Sequence, residues 1–230
     1  MSVAQSFLLG LIGSPIMSSA APAMHEAAAA ALGLRAQYRL IDIAGADETK
    51  LRAMLEGVRL LGFSGVNVTF PYKEAVIPLL DALAPGAAAI GSANTVVVRD
   101  GKLTGHNTDA TGFAAAFAAV LGSPGDAPIA LIGAGGVING TPIGMLPNRD
   151  SPVPAELLHA GLWVADAVYT PLWTPLLQAA RARGCRVMTG RELCIYQAVD
   201  AFRLFTGLEA SRERIGAAFD AVIAKRGEPK

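Results

Sequence analysis

The chain has no charge of either sign to spare. Its 19 basic residues are matched by 19 acidic ones, the formal net charge is zero, and no basic stripe breaks the balance. That excludes a nucleic-acid backbone as the expected partner. Cysteine is scarce as well. Cys185 and Cys194 are the two present; they fit no metal-binding spacing, and nothing suggests the disulfide framework of an exported protein. Both are expected to be incidental, semi-buried thiols. Long hydrophobic runs are also missing. The apolar stretch Phe7 to Ile12 is broken by Gly10 and closed by Gly13, too short to span a bilayer. It is expected to be a buried strand, with no membrane partner. The N-terminus lacks the basic start of a signal peptide, so a cytoplasmic enzyme is expected.

What the chain does have is apolar bulk. Hydrophobic residues make up 52% and charged residues 17% of 230, the balance of a folded protein of one or two domains. In the first third, strand and helix patterns alternate. Strands are expected at residues 6–13, 37–43 and 65–69, with helices at 22–32, 48–61 and 73–83. Residues 95–99 and 103–105 read as two strands across an Asp100-Gly101 turn. A second unit starts near Thr108. Its expected elements are a helix at 109–121, strands at 127–132, 163–168 and 186–188, and a helix at 175–183. Two helices, 192–206 and 211–225, end the chain. The alternation predicts an α/β fold with a largely parallel sheet.

Three motifs could carry chemistry. The first is Gly133-Ala134-Gly135-Gly136 after an apolar strand, the form of a turn whose backbone N–H groups meet a pyrophosphate. It is only half of that fingerprint. Position 138 should be small and is Ile138, and the chain runs on into turn-like Asn139-Gly140-Thr141-Pro142. An ordinary tight loop explains this cluster as well. The second is Asn67-Val68-Thr69-Phe70-Pro71-Tyr72-Lys73. A strand delivers Asn67 and Thr69 to its carboxyl end, and Lys73 is expected in the first turn of a helix, where its charge opposes the helix dipole. A solvated surface lysine is the alternative. The third is Gly105-His106-Asn107-Thr108-Asp109, with Gly112 and Phe113 following. Asp109 is read either as a site carboxylate or as a plain helix cap. His106 is read as structural.

Taken in order, these motifs resemble the shikimate/quinate dehydrogenase family. The resemblance also takes in Gly13-Ser14-Pro15-Ile16, Pro22-Ala23-Met24-His25, Asn94-Thr95, Thr141-Pro142-Ile143-Gly144-Met145, Gln197 with Phe202, and Thr206-Gly207. It covers nearly the whole chain, and the second and third motifs together are its specific part. It implies reversible hydride transfer between a nicotinamide and the 3-keto group of 3-dehydroshikimate, a step of chorismate and aromatic amino acid biosynthesis. Lys73 would be the proton donor and Asp109 its partner. Asn94 and Asp109 would hold the ring hydroxyls. Ser19, Thr69 and Gln197 would complete the substrate pocket, and Tyr169 would stand near cofactor and substrate. Gly133, Ala134, Gly135, Gly136, Thr141 and Met145 would bind the cofactor, NADP, with NAD as the alternative. The ring carboxylate is the partner and no metal is implied; the protein would be a monomer or homodimer.

The chain departs from the family pattern. Where the family shows Ser-x-Ser before the proline, this chain has Ser19-Ala20-Ala21, and Ser18 and Glu26 replace the usual His and Asn. Losing a hydrogen bond to a charged group costs about 1.5–3 kcal/mol, which admits a relative acting on a different ring acid. The family also places roughly 60 further residues, at about 30 per βαβ unit, between the glycine turn and Thr141. Either a stretch of the natural chain has been left out near residues 137–138 or the natural chain lacks it. The first is expected, because a true loss would expose the neighbouring strands of a sheet. Val137 and Ile138, or a pair within about two residues, should then not sit at the ~3.8 Å of bonded neighbours.

The expected organisation is a substrate domain at 1–105, an incomplete Rossmann-like nicotinamide domain at 106–190, and C-terminal helices at 191–230 returning to the first domain. A ligand cleft is expected between the two domains. Three readings stay open: an NADP-dependent shikimate dehydrogenase, an NAD-dependent quinate/shikimate or aminoshikimate dehydrogenase, and a non-catalytic binder of a ring carboxylate.

Overall fold

A computed structural model describes residues 5–122 and 135–226. The described residues form two α/β units. The first runs to Thr111 and takes back Gln197–Val222; the second is Gly112–Tyr196 with the described residues from Ile223 on. The boundaries therefore fall inside helices, six residues later than expected at both internal junctions. The expected strand 127–132 and the residues Gly133 and Ala134 lie outside the described residues.

In the first unit the order is β1 (Ser6–Gly13), α1 (Ala21–Ala31), β2 (Arg35–Asp42), α2 (Glu48–Leu60), β3 (Gly65–Val68), β4 (Ala82–Leu83), α3 (Pro85–Ile90), β5 (Thr95–Arg99), β6 (Lys102–His106) and the start of α4 (Thr108–Leu121). The strands make one six-stranded sheet in the order β2-β1-β3-β5-β6-β4. Its β2-β1-β3 part is parallel, β3-β5-β6 antiparallel, and β4 joins β6 in parallel. Helix α2 shows why these residues choose their elements. Asp47 caps it by accepting from the Lys50 N–H at 2.8 Å. Leu51, Leu55 and Val58, at helical spacing, are all buried against the sheet core, each worth about 1.5–3 kcal/mol. The β5–β6 hairpin turns at Asp100 and Gly101, both at positive φ (49° and 71°), as a two-residue primed turn requires.

One expected helix is not there. Residues 73–76 are turns and 77–79 a short 3-10 helix, with a separate α3 beginning at Pro85. Pro78 has no N–H for a helix running from 73, and it disfavours the α conformation at Ile77. Lys73 therefore stands in a turn, not at an α-helix N-terminus.

The second unit holds the rest of α4, then β7 (Gly136–Asn139), β8 (Trp163–Asp166), α5 (Pro175–Ala182), β9 (Arg186–Met188) and the start of α6 (Gly190–Thr206); α7 (Arg212–Lys225) ends the described chain. Its sheet is parallel, β7-β8-β9. Strand β8 separates two apolar layers by its period of two: Trp163 and Ala165 pack with Phe117 and Leu121 of α4, and Val164 packs with Leu176 and Leu177 of α5. Residues 136–139 correct a further expectation. They form one strand that pairs residue for residue with β8, where a turn was expected.

Candidate active site

In the first unit, β3 ends at Val68 and the chain turns through Thr69 to Lys73. Two contacts fix that turn. Gly13 on β1 leaves room for Thr69, whose Cγ2 would lie 2.3 Å from any Cβ added at residue 13. Tyr72, 4% exposed, donates its hydroxyl to the Ile43 carbonyl and accepts from the Ala46 N–H at 3.0 Å. The Lys73 carbonyl accepts from the Ala93 N–H at 2.9 Å.

The other half of the site comes from the start of α4. Asn107 caps this helix, accepting from the Ala110 N–H at 3.0 Å. Asp109 is thus not the cap. It lies in the first turn, where the helix dipole favours a carboxylate. Asn94 anchors the same turn: its Oδ1 accepts from the Thr108 N–H at 2.7 Å and its Nδ2 donates to Thr108 Oγ1 at 3.0 Å. That leaves one Nδ2–H of Asn94 for a ligand, on a residue 4% exposed. Behind it, Asn67 donates to the Asn94 carbonyl and to Thr95 Oγ1, and accepts from the Tyr38 hydroxyl at 2.8 Å.

The two halves meet where Lys73 Nζ donates to Asp109 Oδ2 at 2.6 Å. Both side chains remain about one-third exposed, 35% and 33%, so a ligand can reach them. An ammonium held by a carboxylate, at the carboxyl end of a strand, can give a proton to a carbonyl oxygen or take one from an alcohol. Ser19 and Gln197 belong to the same unit, both half-buried. Ser19 Oγ accepts from the Ala21 N–H at 3.2 Å, which leaves its hydroxyl proton to donate.

The remaining expected site residues are in the second unit. Thr141 and Met145 are exposed on the loop after β7. Tyr169 is half-buried past the end of β8, and burial, with Cys194 beside it, pushes its hydroxyl well above the usual tyrosine range. Gly135 and Gly136 correct the phosphate-turn reading. No helix follows them, and Gly136 is buried under the Trp163 ring, which a Cβ would meet at 2.1 Å. The small size of Gly136 serves packing against Trp163.

Sequence reasoning passed over a buried polar cluster in this unit. Asp166, at the end of β8 and fully buried, accepts from Thr174 Oγ1 at 2.6 Å, the Val168 N–H at 2.9 Å and Asn139 Nδ2 at 3.0 Å. The available signal was a lone acidic residue inside an apolar strand.

Comparison with known proteins shows the family. A family model described as the shikimate dehydrogenase substrate binding domain matches residues 11–96. The NADP(+) shikimate dehydrogenase of Streptomyces avermitilis is 40% identical over 272 residues, covering 91% of this chain and 94% of the relative. The chain belongs to the shikimate dehydrogenase family. The NAD(+) quinate/shikimate dehydrogenase of Corynebacterium efficiens is 38% identical over 93% of this chain and 98% of its own length. Among solved structures, the Thermus thermophilus shikimate 5-dehydrogenase in complex with NADP(H) and shikimate superposes with a TM-score of 0.86 at 31% identity, over 94% of this chain and 99% of the other. The 272-residue match is longer than the 230 residues of this chain, so part of the relative's matched stretch has no counterpart here.

Proposed function

We propose that the chain catalyses reversible, NADP-dependent reduction of 3-dehydroshikimate to shikimate. The observation that carries this is the Lys73–Asp109 contact of 2.6 Å, set on the two motifs that resemble the family most specifically. In the reducing direction the Lys73 ammonium gives its proton to the ketone oxygen as hydride reaches the ring carbon. In the oxidising direction the Lys73 amine takes the proton of the ring hydroxyl. Asp109 holds the ammonium and shares the hydroxyl. Asn94, through its remaining N–H, and Thr69, Ser19 and Gln197 complete the binding of the ring carboxylate substrate. Thr141 and Met145 contact the cofactor, with Gly133 to Gly136 preceding them and Tyr169 close by. A cytoplasmic monomer or homodimer goes with this reading; among the described residues no helix is long and apolar enough to cross a membrane.

We further infer that a stretch of the natural chain is left out between the glycine cluster and Thr141; the longer matched stretch of the relatives supports this. An NAD-dependent quinate/shikimate dehydrogenase is the second reading, favoured by the 38% identity to a relative of that kind and by Ala21, which lacks a hydroxyl for the substrate carboxylate. Initial rates followed at the nicotinamide absorbance, with shikimate and quinate against NADP and NAD, separate the two. Turnover of shikimate with NADP is the expected result. Preference for quinate with NAD selects the second reading. No turnover with any pair, but thermal stabilisation by shikimate, replaces both with a non-catalytic binder.

A further inference from the structure

The cluster around Asp166 does more than fill space. A carboxylate only accepts hydrogen bonds, so its three donors are dictated in direction. Asn139 must turn its Nδ2 toward Asp166, at 3.0 Å. Its Oδ1 then points the other way, where it accepts from both the N–H and the hydroxyl of Thr141, at 3.0 and 2.7 Å. The same Nδ2 reaches the Ile143 carbonyl at 3.0 Å, and Thr141 Oγ1 accepts from the Ile143 N–H at 3.3 Å. One buried carboxylate therefore orients the first half of the Thr141–Met145 loop. Its bond from the Val168 N–H fixes the segment that leads to Tyr169. The two segments are tied again downstream, where the Leu146 N–H donates to the Thr170 carbonyl at 3.0 Å.

Such a group is costly to keep. Burial raises the Asp166 carboxyl above its usual range against the three hydrogen bonds that lower it, and no cation contributes. An apolar side chain of similar size would meet no such cost. The bond to Thr174, which caps α5 by accepting from the Leu177 N–H at 3.3 Å, accounts for a structural part of the cluster. It does not account for the chain of bonds into the loop.

We propose that Asp166 is a positioning residue for nicotinamide binding, acting through Asn139 on the Thr141–Met145 loop and through the Val168 amide on the Tyr169 segment. This rests on the assignment of Thr141 and Met145 to the cofactor made above. The test is steady-state kinetics and cofactor titration on the full chain. Asp166→Ala is expected to raise the KM and Kd for the nicotinamide cofactor about tenfold, with the KM for shikimate moved less than about twofold. Asp166→Asn keeps the volume and the acceptor but loses the accept-only constraint, so a rise of about threefold is expected; it also serves if Asp166→Ala does not fold. Thr174→Val removes the α5 cap and one donor to Asp166 but leaves the Asn139 and Val168 bonds that lead into the two segments; it is expected to lower the melting temperature with the cofactor KM within about twofold of the parent. Asp166 variants that lose thermal stability while both KM values stay put would overturn the proposal. Thr141→Ala and Met145→Ala distinguish the two levels of failure. If they raise the cofactor KM and the Asp166 variants do not, the positioning role alone is wrong; if they too leave it unchanged, the cofactor assignment falls and the proposal with it.

Discussion

Lys73 and Asp109 are one-third exposed, and an ion pair so placed adds only about 0–1 kcal/mol to stability. Changing either should therefore separate chemistry from folding. Asp109→Asn is expected to lower kcat by about 10²-fold or more with the circular dichroism spectrum unchanged; a kcat near the parent's would remove Asp109 from the proton pathway. His25 behaves in the opposite way. It is 1% exposed, neither ring nitrogen has a hydrogen-bond partner among the described residues, and it stacks on Tyr38 at 4.9 Å with Phe202 and Phe205 nearby. Burial lowers its pKa from 6.5 to about 3. Between those two values the unfolded chain binds the extra proton, so stability is full above pH 6.5 and falls as the pH drops toward 3. The loss from this one group is about 2 kcal/mol between pH 7 and pH 5. Urea unfolding at the two pH values measures it, and His25→Phe should flatten the difference; an unchanged slope in that variant would assign the acid sensitivity elsewhere.

At the scale of elements, the start of α4 is what sets Asp109 opposite Lys73. Asn107→Ala removes the cap and is expected to cost about 1 kcal/mol in chemical denaturation, with a lower kcat because the first turn carries Asp109; an unaltered midpoint would mean the cap bond is dispensable. Gly136→Val places a side chain where the Trp163 ring already lies and should cost about 1–3 kcal/mol or more as overpacking; a stable variant would show that β7 can move away from β8. Elements were legible where one periodicity ruled a segment. Helix α2 and strands β5 and β9 have the bounds their patterns imply, to within a residue. The 73–83 segment misled because its apolar spacing is helical while Pro78 interrupts the hydrogen bonding, and β7 misled because glycines before it read as a turn. Lys73 and Asp109 were legible through motif order. The Asn139–Asp166–Thr174 cluster was not, since none of its members belongs to a motif with a known charge or phosphate to meet.

For the whole molecule, the proposed reading divides the labour between the two α/β units: Lys73 and Asp109 lie in the first, and Thr141, Met145, Tyr169 and the Asp166 cluster in the second. Cofactor preference belongs to this scale, because the ribose-reading residues of a dinucleotide domain come from units beyond the glycine turn. The central claim is that Lys73 moves the proton in a shikimate dehydrogenase reaction. Its most direct test is shikimate oxidation by NADP, followed at the nicotinamide absorbance, in the parent and in Lys73→Ala. The account predicts turnover in the parent and a loss of about 10²–10⁴-fold in the variant, with the variant's melting temperature unchanged. A variant that folds and turns over at the parent's rate would contradict it.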